Sequence, residues 1–233
     1  MLPPAAVVFD LDGTLVDSRG DIVAAVNHAL LATGRAALPG PVIVQYIGDG
    51  ARALCARAAR VPESSEEVDV LLADFLAYYV EHPIDFTRWM PGAQETLDAL
   101  ATMSLPLGIC TNKPRATTEA VLGALGIRTR FRAIVAGGDM LEKKPAPAPM
   151  LGVAKQLGVP PDLCVMVGDL PQDVLGARRA GMRSIAMENG WGPRERLLES
   201  RPDVMLASLL EVVDVIRRWR DSTTRVASPG RTG

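Results

Sequence analysis

The feature that most restricts how this chain can fold is a set of short apolar runs, each of which ends on polar residues. Residues 5–9, Ala-Ala-Val-Val-Phe, stop at Asp10 and Asp12. Residues 105–110 stop at Thr111-Asn112, 133–136 at Gly137-Gly138-Asp139 and 163–167 at Gly168-Asp169, with 183–187 as a candidate fifth run. Runs this short and this apolar fit strands covered on both faces. A helical pattern follows each of them, the alternation of a parallel sheet flanked by helices. The predicted fold class is therefore α/β, with a Rossmann-like parallel sheet as its core. In such sheets ligands bind beyond the carboxyl ends of the strands, so those ends carry the candidate chemistry.

Residues 16–88 break the alternation, because they hold helical signals without a convincing strand. They read as an inserted helical cap domain, leaving 1–15 and 89–219 as the core domain. Ser18 with Asp21 makes a capping start, after which Ile22, Val26, Ala29 and Leu30 share a helical face. After Ser64-Ser65, the positions Val68, Leu71, Leu72, Phe75, Leu76, Tyr79 and Val80 keep helical spacing and read as core, with a ligand contact from Tyr78 or Tyr79 as the minor alternative. Residues 220–233 are rich in Ser, Thr, Arg, Gly and Pro and offer little to bury, so they read as a disordered tail.

Composition removes several classes of function. With 25 basic and 27 acidic residues and a net charge of -2, the chain lacks the basic field that a nucleic-acid partner needs. No apolar stretch approaches the ~20 residues of a membrane span, and the first residues show no signal peptide, so the expected compartment is the cytoplasm. Two histidines and three scattered cysteines do not make a zinc set. Cys55, Cys110 and Cys164 read as small buried hydrophobes, with a catalytic thiol as the alternative. Lysine is scarce, confined to Lys113, Lys143, Lys144 and Lys155, so positions that use it invite attention.

The strongest chemical signal is Asp10-Leu11-Asp12-Gly13-Thr14 directly after the first run. Alone it also fits ordinary turn chemistry. The other strand ends add Thr111-Asn112, then Lys144-Pro145, then Gly168-Asp169 with Asp173. Together these supply a nucleophile, hydrogen-bond donors, a cation and metal ligands. In this order, and over nearly the whole chain before the tail, they resemble the four motifs of the haloacid dehalogenase superfamily.

That resemblance implies a magnesium-dependent phosphatase acting on a small phosphate monoester. It makes Asp10 the nucleophile that accepts the phosphoryl group, and Asp12 the acid toward the leaving oxygen and then the base for water. It assigns Mg²⁺ to Asp10, the backbone carbonyl of Asp12, and Asp169, a sufficient protein set for an ion that keeps several waters. Asp173 would orient the site from behind, a place that a first-turn acid opposite the helix dipole would also fill. Lys144 and Thr111 would hold phosphoryl oxygens, with Gly13 and the backbone amide of Asn112 close to the substrate. Lys143 is the neighbouring candidate, but the family lysine directly precedes proline. Leu170-Pro171 departs from the small polar residue common after the fourth-motif aspartate.

Within the superfamily, Asp12 argues for phosphoryl chemistry over dehalogenation, and the absence of lysine from residues 16–88 sets phosphonate cleavage aside. The chain resembles bacterial phosphoglycolate phosphatases through Tyr46-Ile47-Gly48-Asp49-Gly50 and Lys143-Lys144-Pro145-Ala146-Pro147-Ala148-Pro149. The glycines would let backbone amides approach a ligand, or else mark a plain loop and helix start. Arg52 is the cation placed by sequence to meet a substrate carboxylate, and it fits a solvated surface position as well. Three alternatives stand beside phosphoglycolate: a phosphatase for another small ester such as an amino-sugar phosphate or nucleotide, a phosphosugar mutase using His28 or Asp49, and a non-catalytic binding module on the same fold.

Overall fold

The computed structural model describes residues 2–224. In chain order its elements are β1 (Ala6–Phe9), β2 (Val16–Asp17), α1 (Arg19–Ala32), α2 (Gly40–Val44), α3 (Ala51–Ala59), α4 (Glu66–Glu81), β3 (Arg88–Trp89), α5 (Ala93–Thr102), β4 (Leu107–Pro114) and α6 (Arg115–Ala124). There follow β5 (Ala133–Gly137), α7 (Pro147–Leu157), β6 (Cys164–Gly168), α8 (Pro171–Ala180), β7 (Arg183–Met187), α9 (Arg194–Ser200), β8 (Val204–Leu206) and α10 (Leu210–Thr224).

Six strands form one sheet in the order β5-β4-β1-β6-β7-β8, and every pairing in it is parallel. The two faces follow from strand alternation, since successive side chains point to opposite sides. Val7, Phe9, Ile109, Val165 and Val167 enter one buried cluster, which also takes in Leu97 of α5 and Ile216 of α10. Ala6, Val8, Cys110, Cys164 and Met166 enter the other, with Met150 and Val153 of α7 and Ala177 of α8. Burial on both faces is why these strands read as unbroken apolar runs. With β4 on one side and β6 on the other, β1 is central, and its carboxyl end lies where the chain order reverses.

Helices α1 to α4 lie between β2 and β3, which pair antiparallel as Val16 with Trp89 and Asp17 with Arg88. The stripe read from the sequence of α4 faces inward at Val68, Leu71, Phe75 and Tyr79, whereas Val80 is exposed. Ser65 caps α4, accepting from Glu67 N.

Three expectations need correction. Ser18 precedes α1 but its hydroxyl makes no cap; it donates to Asp12 Oδ1 at 2.5 Å. Asp21 accepts from Phe86 N at 2.9 Å and Thr87 Oγ1 at 2.5 Å, so it fastens the returning chain to α1. Residues 220–224, expected to belong to a disordered tail, continue α10 to Thr224; residues 225–233 of that expectation lie outside the described residues. Among the described residues no helix is long and apolar enough to cross a membrane.

Candidate active site

The chain turns sharply after β1. Gly13 N donates to Val16 O and Leu15 N to Leu11 O, a loop that needs the positive φ of 84° at Gly13. Side-chain space is also absent there, since a Cβ at Gly13 would overlap the Asp169 carboxylate. The turn sends the two carboxylates of the motif in different directions, and they acquire different partners.

Asp10 is buried, with Lys144 Nζ 3.0 Å from its Oδ1. The approach is off the hydrogen-bonding direction, so Oδ1 is ion-paired but accepts no hydrogen bond among the described residues. Lys144 Nζ donates instead to Asp173 Oδ1 at 2.6 Å and to Cys110 O at 2.7 Å. Asp173, in the first turn of α8, also accepts from Leu170 N. Asp169 accepts from Thr14 Oγ1 and Trp191 N, both at 2.7 Å. Carboxylate oxygens of Asp10, Asp169 and Asp173 lie within 4.8 Å of one another.

Burial pushes Asp169 up to about 8, with the charges of Asp10 and Asp173 adding to it and the Trp191 amide and Thr14 hydroxyl opposing. Asp10 is raised as well, by burial first, against the pull of Lys144. Burial alone would lower the Lys144 ammonium, but Asp10 and Asp173 outweigh it and hold it above the ordinary lysine range. Three carboxylates share one ammonium, so the fully ionised cluster carries an excess of two negative charges. A divalent cation would balance that excess, and the all-oxygen donor set suits a hard ion such as Mg²⁺. The unbonded Oδ1 of Asp10 is the atom that most needs such a partner.

Asp12 turns away from this cluster. Lys113 Nζ lies 3.1 Å from each of its oxygens and donates to Tyr79 Oη at 2.7 Å, so α4 reaches the carboxylate through the ammonium. Lys113 is buried, and Asp12 and Tyr79 overcome the effect of burial to raise its pKa. Any contribution from Asp12 to a metal would come through its backbone carbonyl.

A cavity of about 50 Å³ opens above the strand ends. Asp10, Asp12, Thr111, Asn112 and Lys144 form its floor together with Lys113. Ile22, Ile47, Ala51, Leu54 and Phe75 from the helical insertion form an apolar roof. Thr111 is buried and accepts from Lys113 N. The Asn112 side chain donates to Lys144 O and Gly48 O and accepts from Lys144 N, tying the insertion to the end of β4 and to the loop that follows β5. Lys143 does not enter the cavity; it donates to Asp49 O.

Arg52 is not brought to the site. Its guanidinium pairs with Asp69 and donates to Glu63 O on the outer face of the insertion. Two residues, just over half a turn of α3, separate the inward side chain of Leu54 from the outward one of Arg52, and the sequence places Arg52 beside a glycine loop without showing which way it faces. His28 stacks on Tyr78, and Asp49 is engaged by Arg57 and Gln172; neither lines the cavity. Burial pushes the thiols of Cys55 and Cys110 up to about 12 and that of Cys164 to about 11, which leaves them inert.

Gly190 and Trp191 go unremarked in the sequence. The loop after β7 folds over Asp169, and a Cβ at Gly190 would overlap that side chain. The Gly190-Trp191-Gly192 run was the available signal, since close backbone approach is a standing reason for glycine.

The family description "Haloacid dehalogenase-like hydrolase" matches residues 7–187. A phosphoglycolate phosphatase of Rhodospirillum rubrum is 37% identical over 195 residues, covering 81% of each chain. One from Neisseria meningitidis is 35% identical over 216 residues, covering 90% of this chain and 92% of the relative. The crystal structure of a predicted phosphoglycolate phosphatase from Haemophilus somnus superposes with a TM-score of 0.83 at 29% identity, covering 92% of this chain and 99% of that one. The strand-end carboxylates and the lysine thus sit in a fold and a sequence shared with these proteins over most of their length, and the chain belongs to the haloacid dehalogenase-like hydrolase family.

Proposed function

We propose that this protein hydrolyses 2-phosphoglycolate, with residues 16–88 acting as a cap over the site and the phosphoryl group passing through Asp10. The observation that carries the reading is the buried Asp10 carboxylate at the end of the central strand, with Lys144 beside it and an oxygen left without a hydrogen bond. The names of the relatives supply the substrate.

Asp10 attacks phosphorus while the ester oxygen departs, and Asp12 gives that oxygen its proton. Asp12 then takes a proton from water, which attacks the phosphorus of the aspartyl-phosphate and releases inorganic phosphate. Lys144, Thr111 and the backbone amide of Asn112 hold the phosphoryl oxygens through both steps. Gly13 gives the backbone close approach, and Asp173 fixes the Lys144 ammonium. Mg²⁺, held by Asp10, Asp169 and the Asp12 carbonyl with Asp173 behind, would supply charge neutralisation for the phosphoryl oxygens. The apolar roof excludes bulk water, which strengthens each of these interactions.

The test is a panel of phosphate monoesters in Mg²⁺, scored by kcat/KM, with Asp10→Asn as control. 2-Phosphoglycolate should lead the panel, and Asp10→Asn should fold normally without turnover. A leading sugar phosphate or nucleotide would overturn the substrate, and substantial turnover by Asp10→Asn would overturn the covalent route.

A further inference from the structure

The substrate carboxylate needs a cation, and Arg52 cannot serve. Among the described residues that line the cavity, the cations are Lys144 and Lys113. Lys144 is committed to Asp10 and Asp173, on the side of the transferring phosphoryl group. Lys113 stands against Asp12, the group that faces the leaving oxygen. In 2-phosphoglycolate a single carbon separates that oxygen from the carboxylate. A substrate whose ester oxygen meets Asp12 therefore carries its carboxylate toward the ammonium that Asp12 already touches.

We propose that Lys113 receives the substrate carboxylate and sets the preference of the enzyme for acidic leaving groups. The assignment rests on the phosphoglycolate reading above and adds to it the residue that selects the leaving group. Its surroundings suit the task. The ammonium lies beneath an apolar roof, where a charge pair is weakened little by water, and the Tyr79 hydroxyl and ring hold it in place, with Nζ 4.1 Å from the ring centroid. Lysine carries three donors on a flexible stem, so it can turn from Asp12 toward an arriving carboxylate without a backbone change. An uncharged leaving group gives it no reason to turn.

The test is the binding of two unreactive ligands to the Mg²⁺-loaded enzyme by calorimetry: 3-phosphonopropionate, which replaces the ester oxygen of the substrate by a methylene, and propylphosphonate, which lacks the carboxylate. Wild type should prefer the first by about 10- to 100-fold, the range of one charge-assisted contact. Lys113→Gln can still donate to Asp12 and Tyr79, and it should lose the preference while binding propylphosphonate as before. Lys113→Arg should keep most of it. A merely structural lysine would change both affinities together and leave their ratio intact, so a preference retained in Lys113→Gln overturns the assignment. No preference in wild type would overturn the phosphoglycolate reading itself, a separate outcome. A crystal structure of wild type with 3-phosphonopropionate asks the same question without any substitution: the carboxylate against Lys113 Nζ supports the assignment, and anywhere else refutes it.

Discussion

In chelator this protein should lose stability as pH rises, and Asp169 is the reason. Its carboxyl titrates at about 8 in the fold against 3.8 when unburied. Between those values the unfolded chain has released a proton that the folded chain still holds, so each unit of pH favours unfolding by about 1.4 kcal/mol. The stability is fully present below about pH 4 and is lost as pH climbs through about 8. Four units give an upper bound of ~6 kcal/mol, a large share of the roughly 5–15 kcal/mol by which domains are stable. For a chain of this size that corresponds to a fall in Tm on the order of 10 °C. Asp10 is shifted the same way. Asp17, Asp49 and Asp139 are lowered, so their contributions disappear only below pH 4, outside the window.

The assay is calorimetry from pH 5 to 8.5 in chelator, comparing wild type with Asp169→Asn. The amide can accept from Trp191 N and donate to Thr14 Oγ1, so it keeps both contacts without the charge. Asp169→Asn should be the more stable protein at pH 8 in chelator and should show a flatter profile. Both histidines remain in the variant and cancel in the comparison. Mg²⁺ should restore wild type, by more at pH 8 than at pH 5, because binding to the folded state adds to stability by mass action. A wild-type Tm that is level or rising across this range in chelator, or an Asp169→Asn protein no more stable than wild type at pH 8, would refute the reasoning.

Three further outcomes are expected. Gly190→Ala pushes the loop off Asp169, and kcat should fall by roughly 10²-fold, the cost of misplacing a catalytic group by about 1 Å, as steady-state kinetics would show. Arg52→Ala should leave the kcat/KM for 2-phosphoglycolate unchanged, since the guanidinium faces Asp69 on the exposed side; a selective loss would return Arg52 to the site. Ca²⁺ should compete with Mg²⁺ without supporting turnover, because its larger and looser coordination disturbs in-line geometry, and inhibition kinetics at fixed Mg²⁺ would detect it.

The strand ends were legible because a buried parallel strand has almost no freedom of composition. An acid that terminates such a run, as Asp10 and Asp169 do, stands out against it. Helix faces were legible for the same reason in α4, where periodic burial left its record. Direction was harder. Ser18 looks like a cap in any local window, and only the folded chain brings Asp12 into its reach, six residues upstream. Lys113 and Tyr79 are 34 positions apart, and no periodicity links a strand end to a helix that packs above it. Scarcity of lysine pointed at Lys113 without saying what it touches. Two-residue strands such as β2 and β3 are too short to leave a pattern, so the bounds 16–88 were legible but the antiparallel pairing that closes them was not.

That join has a consequence for inheritance. Val16 lies against Trp89 and Asp17 against Arg88, Met90 N donates to Leu15 O, and Asp21 holds the strand returning through Phe86 and Thr87. The polypeptide leaves the sheet and comes back at the same spot, so what lies between is, to the rest of the molecule, a loop whose ends are already closed. Lengthening a loop of this kind costs free energy only as the logarithm of its length. Descendants could therefore lengthen, trim or replace the excursion wholesale while Asp10, Lys144 and Asp169 stayed where they are. Lys113 is tied to the excursion more closely, because it belongs to a strand end yet leans on the side chain of a tyrosine from the excursion. A lineage that exchanged the helices would have to find that lysine a new neighbour or a new task.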